Sequence, residues 1–244
     1  MRIAVATLAT MSLLTACGGG GAAPAAGTSS AAATYTFIIP KLAAHLVYAE
    51  RLVDNLNNTV NRTIVDDVTA VNTDGSFAMH EEDPSHNRVV SGSIDQTAYP
   101  TDFQYNPSAQ LTRWVIAQTA GTVSCAVTQG SVGAPSPLGV GAGWNTSYTE
   151  ICGAGAGMML TQSGSLAGME TITVAAGTFS AFKFVSTVTT TVNGITRTET
   201  ASRWRDASGG DTRTLKTAST YTYSGGTPAA GALVSDSREL QSYR

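Results

Sequence analysis

Between residues 80 and 86 the sequence reads HEEDPSH, the densest run of metal-ligand side chains in the chain. Carboxylates suit Ca²⁺ and two histidines with an acid suit Zn²⁺, which makes His80, Glu82, Asp83 and His86 the candidate ligands. Their spacing fits no metal-loop pattern, and a row of acids after a strand is ordinarily a solvated loop, so no metal is assigned. Nucleophilic catalysis has little to build on, because there is no G-x-S-x-G elbow and His45, His80 and His86 all fall in the first third of the chain. The glycine runs GVGAG (139–143) and GAGAG (153–157) lack both the dinucleotide spacing and a following helix, so no cofactor is expected. Asp66, Asp67 and Glu170 could serve glycoside hydrolysis if strands brought two of them together, but any domain of this size offers such acids. No catalytic residue is assigned, and the reading leans away from an enzyme. Around Trp204, the residues Arg203, Arg205 and Asp206 suggest either an anion pocket or an edge strand charged against unwanted pairing; composition favours the second.

These residues sit in a chain that begins with an export signal. Arg2 precedes a mostly apolar run from Ile3 to Leu14, the length of a signal-peptide core and too short to span a bilayer. Leu14-Thr15-Ala16-Cys17 resembles the lipobox of bacterial lipoproteins. The resemblance implies a signal peptide over 1–16, Cys17 as an N-terminus carrying diacylglycerol and a palmitate-type chain, and a membrane partner reached through that lipid. Gly18 rather than Asp after the cysteine points to the outer membrane, with the domain facing the periplasm or the cell surface. Removing Arg2 with the signal shifts the formal charge from −3 to −4. With three lysines and Arg203/Arg205 as the only close basic pair, a nucleic-acid partner is excluded.

Residues 18–33 are Gly, Ala, Ser, Thr and Pro, too small to repay ordering, and read with residue 34 as a flexible linker. Residues 35–244 are long enough for one large β domain, with a candidate break in the Gly/Pro-rich stretch 130–143. Cys125 and Cys152 remain once Cys17 is acylated, and an even pair in an oxidising compartment reads as a disulfide.

The domain is dense in short β-branched runs separated by turn dipeptides. NRTIVDDVTAVNTDGSFAMH alternates and turns at Asp74-Gly75, a hairpin signature. LAAHLVYAERLVDNLNN fits both a helical and a period-two pattern; the Asn57-Asn58 turn favours strand. Phe182, Phe184, Val188 and Val192 form the greasy face of a later strand entering a turn at Asn193-Gly194. A three-residue loop there would send Arg197, Glu199 and Arg203 outward and set Phe182 opposite Trp204. A two-residue loop would put those charges on the aromatic face, so the longer loop is expected.

ETITVAAGTFSAFKF, from Glu170, is similar to the E-x-V-T-V-P-A-G-T-F-x-A-x-K hairpin of a family of bacterial envelope proteins of unknown function, and WRDASGGDTRTLK (204–216) partly matches the segment that follows it there. The resemblance implies an all-β fold, a curved antiparallel sheet forming an open or half-closed barrel, and carries no catalytic residues. The expectation is therefore an outer-membrane-anchored β domain that binds an apolar or amphipathic ligand, or an envelope protein, with Phe182, Phe184 and Trp204 as the ligand-contacting residues. The alternatives are a structural or adhesive lipoprotein with a filled core and a carboxylate-based hydrolase.

Overall fold

The computed structural model describes residues 33–84, 100–118, 121–209 and 213–244. The signal peptide, Cys17, all but the end of the linker, and His86 lie outside the described residues.

Every element is a strand. In chain order they are β1 (Thr34–Tyr35), β2 (His45–Asp54), β3 (Thr59–Val71), β4 (Phe77–Glu82), β5 (Thr101–Tyr105), β6 (Leu111–Gln118), β7 (Gly121–Gly130), β8 (Leu138–Gly139), β9 (Gly143–Cys152), β10 (Met158–Val174), β11 (Gly177–Val192), β12 (Ile195–Asp206), β13 (Thr214–Ser224) and β14 (Leu233–Tyr243). All except β1 and β8 form an antiparallel meander that closes on itself through β14 and β2. Closure leaves no open edge among the barrel strands. The Gly/Pro-rich stretch 130–143 is the connection between β7 and β9, neighbours in the same barrel.

HLVYAERLVD forms a strand because its apolar residues alternate. Leu46, Tyr48, Glu50, Leu52 and Asp54 are buried while their neighbours are not. Asn57 takes a left-handed conformation (φ 63°) and turns β2 directly into β3. Gly75 (φ 88°) does the same between β3 and β4. Outside, the registers set Ser163 beside Thr187, Thr187 beside Thr200 and Thr200 beside Thr220. A wall of hydroxyls differs from the apolar band that a membrane-spanning barrel turns to lipid.

The hairpin at Asn193-Gly194 corrects the expected register. Val192 pairs with Ile195, so the loop has two residues, and Asn193 (φ 51°) and Gly194 (φ 78°) are both left-handed. That is the primed turn for which Asn-Gly is best suited and whose twist matches paired strands. Arg203 consequently stands opposite Phe184, and Glu199 opposite Val188. The expectation failed because it took the aromatic face to be dry. The interior is instead a wide lumen in which charged groups meet counter-charges and open space.

The chain entering the barrel fills part of that lumen. β1 and β8 form a two-stranded ladder, and the connection 131–142 is fastened to β10 by Gly141 N–H to Leu166 O (2.8 Å) and Leu166 N–H to Ala142 O (3.0 Å). Tyr35 packs edge-on against Phe182 (5.6 Å) and Phe184 (4.8 Å). Phe37 stacks on Phe77, which stacks on Tyr105. A second cluster, Leu46, Tyr48, Ile64, Val174, Leu215 and Leu240, forms the main core.

Candidate functional site

The lumen holds a cavity of about 470 Å³ lined by rings and charged groups. Strands β2 to β5 and the entering segment supply Phe37, Leu46, Tyr48, Val68, Phe77, Phe103 and Tyr105 together with Glu50, Asp66 and Glu81; β12 to β14 supply Glu199, Arg203, Arg205, Ser219, Asp236 and Arg238. Strand alternation places all but Phe37, since the others project from the inward-facing positions of their strands.

A buried ionic row crosses the closing seam. Arg238, Glu50 and Arg62 lie side by side on β14, β2 and β3. Glu50, only 6% exposed, accepts from Arg62 Nε and, at 2.6 Å, from Arg238 Nε. The remaining Arg238 nitrogens donate to Glu81 on β4, Nη2 at 3.2 Å. Arg62 also approaches Asp83 at 4.0 Å. Each carboxylate is thus desolvated but paired, the condition under which buried charge is tolerated.

Asp66 is hydrogen-bonded to Glu81 rather than to an arginine. Its Oδ1 is buried without a hydrogen-bond partner. Burial, then the neighbouring Glu81 charge, push its carboxyl well above the usual range against the pull of Arg238. Burial raises Glu199 as well, outweighing Arg197 at 4.0 Å. Tyr105 rises by burial first and the Asp66 charge second.

Arg203 is set apart, because its side chain is uncovered and opens to the lumen. Desolvation and then the adjacent Arg205 pull its guanidinium below its ordinary value, against the attraction of Glu199. Arg205 donates to the Tyr35 hydroxyl at 2.6 Å and lies over the Tyr35, Phe37 and Phe184 rings at 5.8–6.0 Å.

The expected ligand-contacting trio does not come together. Phe182 and Phe184 face inward and are covered by Tyr35, whereas Trp204, opposite Lys183 and bonded to Glu170, is half-buried against the main core and does not line the cavity. The metal candidates are also separated by alternation. His80 Nδ1 lies 2.7 Å from Asp102, beside Glu82 on the outer side, while Asp83 turns inward to Arg62. Cys125 and Cys152 are bridged across directly paired positions of β7 and β9, which removes both sulfurs from the one His/Cys/Asp/Glu cluster close enough to hold a metal among the described residues. Of the three acids considered for hydrolysis, Asp66 alone faces the cavity. Glu50, Arg62 and Arg238 were missed. The signal for Glu50 was present, because in HLVYAERLVD it shares a face with Leu46, Tyr48 and Leu52.

No family model matches the chain, and no curated protein matches it. Among solved structures it is similar to an exported protein with a YmcC-like fold from Bacteroides fragilis, at 9% identity and a TM-score of 0.48, covering 86% of this chain and 99% of that one. It is also similar to a lipoprotein from Parabacteroides distasonis at 12% identity and a TM-score of 0.43, covering 86% and 99%. A third is the hypothetical lipoprotein YmcC from Escherichia coli, at 12% identity and a TM-score of 0.40, covering 80% and 83%. Likeness of that degree assigns no function, which has to be argued from the lumen.

Proposed function

We propose that the protein is a lipoprotein, anchored through Cys17 in the outer membrane and facing the periplasm, whose barrel takes an amphipathic small molecule into its lumen. The observation that carries this reading is the 470 Å³ cavity, lined by aromatic rings and charged groups together. That volume lies within the range of small-molecule pockets, which run from about 300 to 1,000 Å³. The filled-core alternative accounts for Phe182 and Phe184, which Tyr35 covers, but not for the open space beyond them.

Native mass spectrometry of the protein purified from its own envelope tests the reading. An adduct beyond the lipid anchor, present in the wild type and absent from Ala201→Trp, supports it, because Ala201 lines the cavity and a larger side chain there would fill it. No adduct in either protein, together with no uptake of the neutral probe N-phenyl-1-naphthylamine, would overturn it.

A hydrolase reading has one observation in its favour, the raised Asp66 carboxyl beside Glu81 and Glu50. Those two glutamates are fastened to Arg238, which leaves them poorly placed to take a proton from water. Ligand binding is therefore the reading adopted.

A further inference from the structure

The barrel supplies a carboxylate to several of its enclosed arginines. Arg62 and Arg238 meet Glu50, and Arg213 meets Asp206 at 2.8 Å. Among the described residues no hydrogen bond or ion pair engages Arg203, and the partner of Arg205 is a neutral phenol. Two guanidinium groups two residues apart on the inward face of β12 repel each other, and Glu199 on the same face attracts Arg203 without bonding it, so the Arg203 donors stay open to the lumen. The same two side chains border a cavity that Phe37, Phe77 and Tyr105 border from across the lumen.

Resting on the proposal that the lumen takes a ligand, we infer that this ligand carries an anionic group, a carboxylate, sulfate or phosphate, seated between Arg203 and Arg205 with its apolar body against Phe37 and Tyr105. The guanidinium fork suits the planar or tetrahedral oxygens of such a group, which it can engage through two parallel bonds. Arg205 contributes from a fixed position, since the Tyr35 hydroxyl and three rings hold it. Arg203 is the group whose charge the ligand neutralises.

Two probes of nearly one shape separate this inference from the reading beneath it. 1-Anilinonaphthalene-8-sulfonate and N-phenyl-1-naphthylamine share a ring system and differ by the sulfonate. With the native protein the sulfonate should bind more tightly, and Arg203→Gln should weaken it on the order of tenfold to a hundredfold while leaving the neutral probe within about twofold, the loss of a charge-assisted pair. Displacement of the sulfonate by dodecanoate but not by inorganic sulfate would identify an anionic amphiphile; displacement by sulfate alone would identify a free anion at the same guanidinium pair. Equal binding of both probes, unchanged in Arg203→Gln, would overturn the anion site while leaving lumen binding intact. Thermal unfolding supplies the second readout. An arginine with no protein partner should be replaceable without loss, so Arg203→Gln should melt at or above the native temperature, and a clear drop would show that Arg203 serves the fold.

Discussion

Val192 stands directly opposite Ile195, and that single pairing decides what the inside of the barrel is made of. Because side chains alternate, a loop one residue longer would have sent Arg197, Glu199 and Arg203 outward. Gly194 holds φ at 78° with no atom close to where a Cβ would project, so Gly194→Ala meets only the backbone preference. It should cost about 1 kcal/mol. Urea unfolding measures it, and an unchanged midpoint would argue against the two-residue turn.

Arg238 joins β14 to β2 and reaches β4, so its loss takes a guanidinium from both Glu81 and Glu50, the latter keeping Arg62. Arg238→Gln should destabilise by about 3–5 kcal/mol, the cost of breaking a buried pair from one side. Equilibrium denaturation is the check. A loss below about 1 kcal/mol, the ceiling for an exposed pair, would mean that water reaches the row freely.

Stability should rise in mild acid. Asp66 is held above its ordinary value of 3.8 by burial and by Glu81, so the native state keeps a proton that the unfolded chain gives up. From the ordinary value upward to Asp66's own, stability falls as pH rises. Glu150 and Glu199, raised by burial, act in the same direction. Asp74, lowered by its bonds to Ser76, acts in the opposite one. The unfolding midpoint should therefore be higher at pH 5 than at pH 8, and Asp66→Asn should raise the pH 8 value and flatten the slope. A midpoint that climbs steadily from pH 5 to pH 8 would contradict the assignment.

The Cys125–Cys152 bridge spans 27 positions. By the loop-entropy relation, replacing both with serine should cost about 3–4 kcal/mol. Two free thiols titrated in the native protein would refute the bridge.

Cys17→Ser should leave the protein unprocessed or shed it into the soluble fraction, because acylation needs the thiol. Fractionation with mass analysis of the N-terminus decides it; a variant still acylated would remove the anchor.

Strand identity was legible in the sequence because it depends on local alternation. Leu46, Tyr48 and Leu52 declare one face of β2, and Asp74-Gly75 and Asn193-Gly194 declare turns. Full closure was not legible, because it depends on pairing between β14 and β2, distant in sequence and marked by no motif. The site was misread for a related reason. Sequence patterning treats an inward charge as an error, so Arg203 and Arg205 were assigned to a protective edge and Trp204 to the interior. In a lumen wide enough to hold water or a ligand, the polar face can be the functional one, and Trp204 packs away from the cavity, under the Lys183 ammonium and against the main core. The Tyr35 cover on Phe182 and Phe184 comes from a segment of almost no regular structure, whose placement no local pattern announces.

The closing seam also sets an order of events. His45 and Arg244 exchange backbone bonds at 3.1 Å, and Arg238 finds Glu50 across 188 positions of sequence. A chain delivered from its N-terminus can form its hairpins as they emerge, but this junction waits for the final eleven-residue strand. Until β14 arrives, β2 and β13 present unpaired backbone to any passing strand, and pairing over such a separation is slow. The growing chain is most liable to aggregate in that interval. Truncation before Leu233 would make the exposure permanent, turning a closed barrel into an eleven-stranded open sheet.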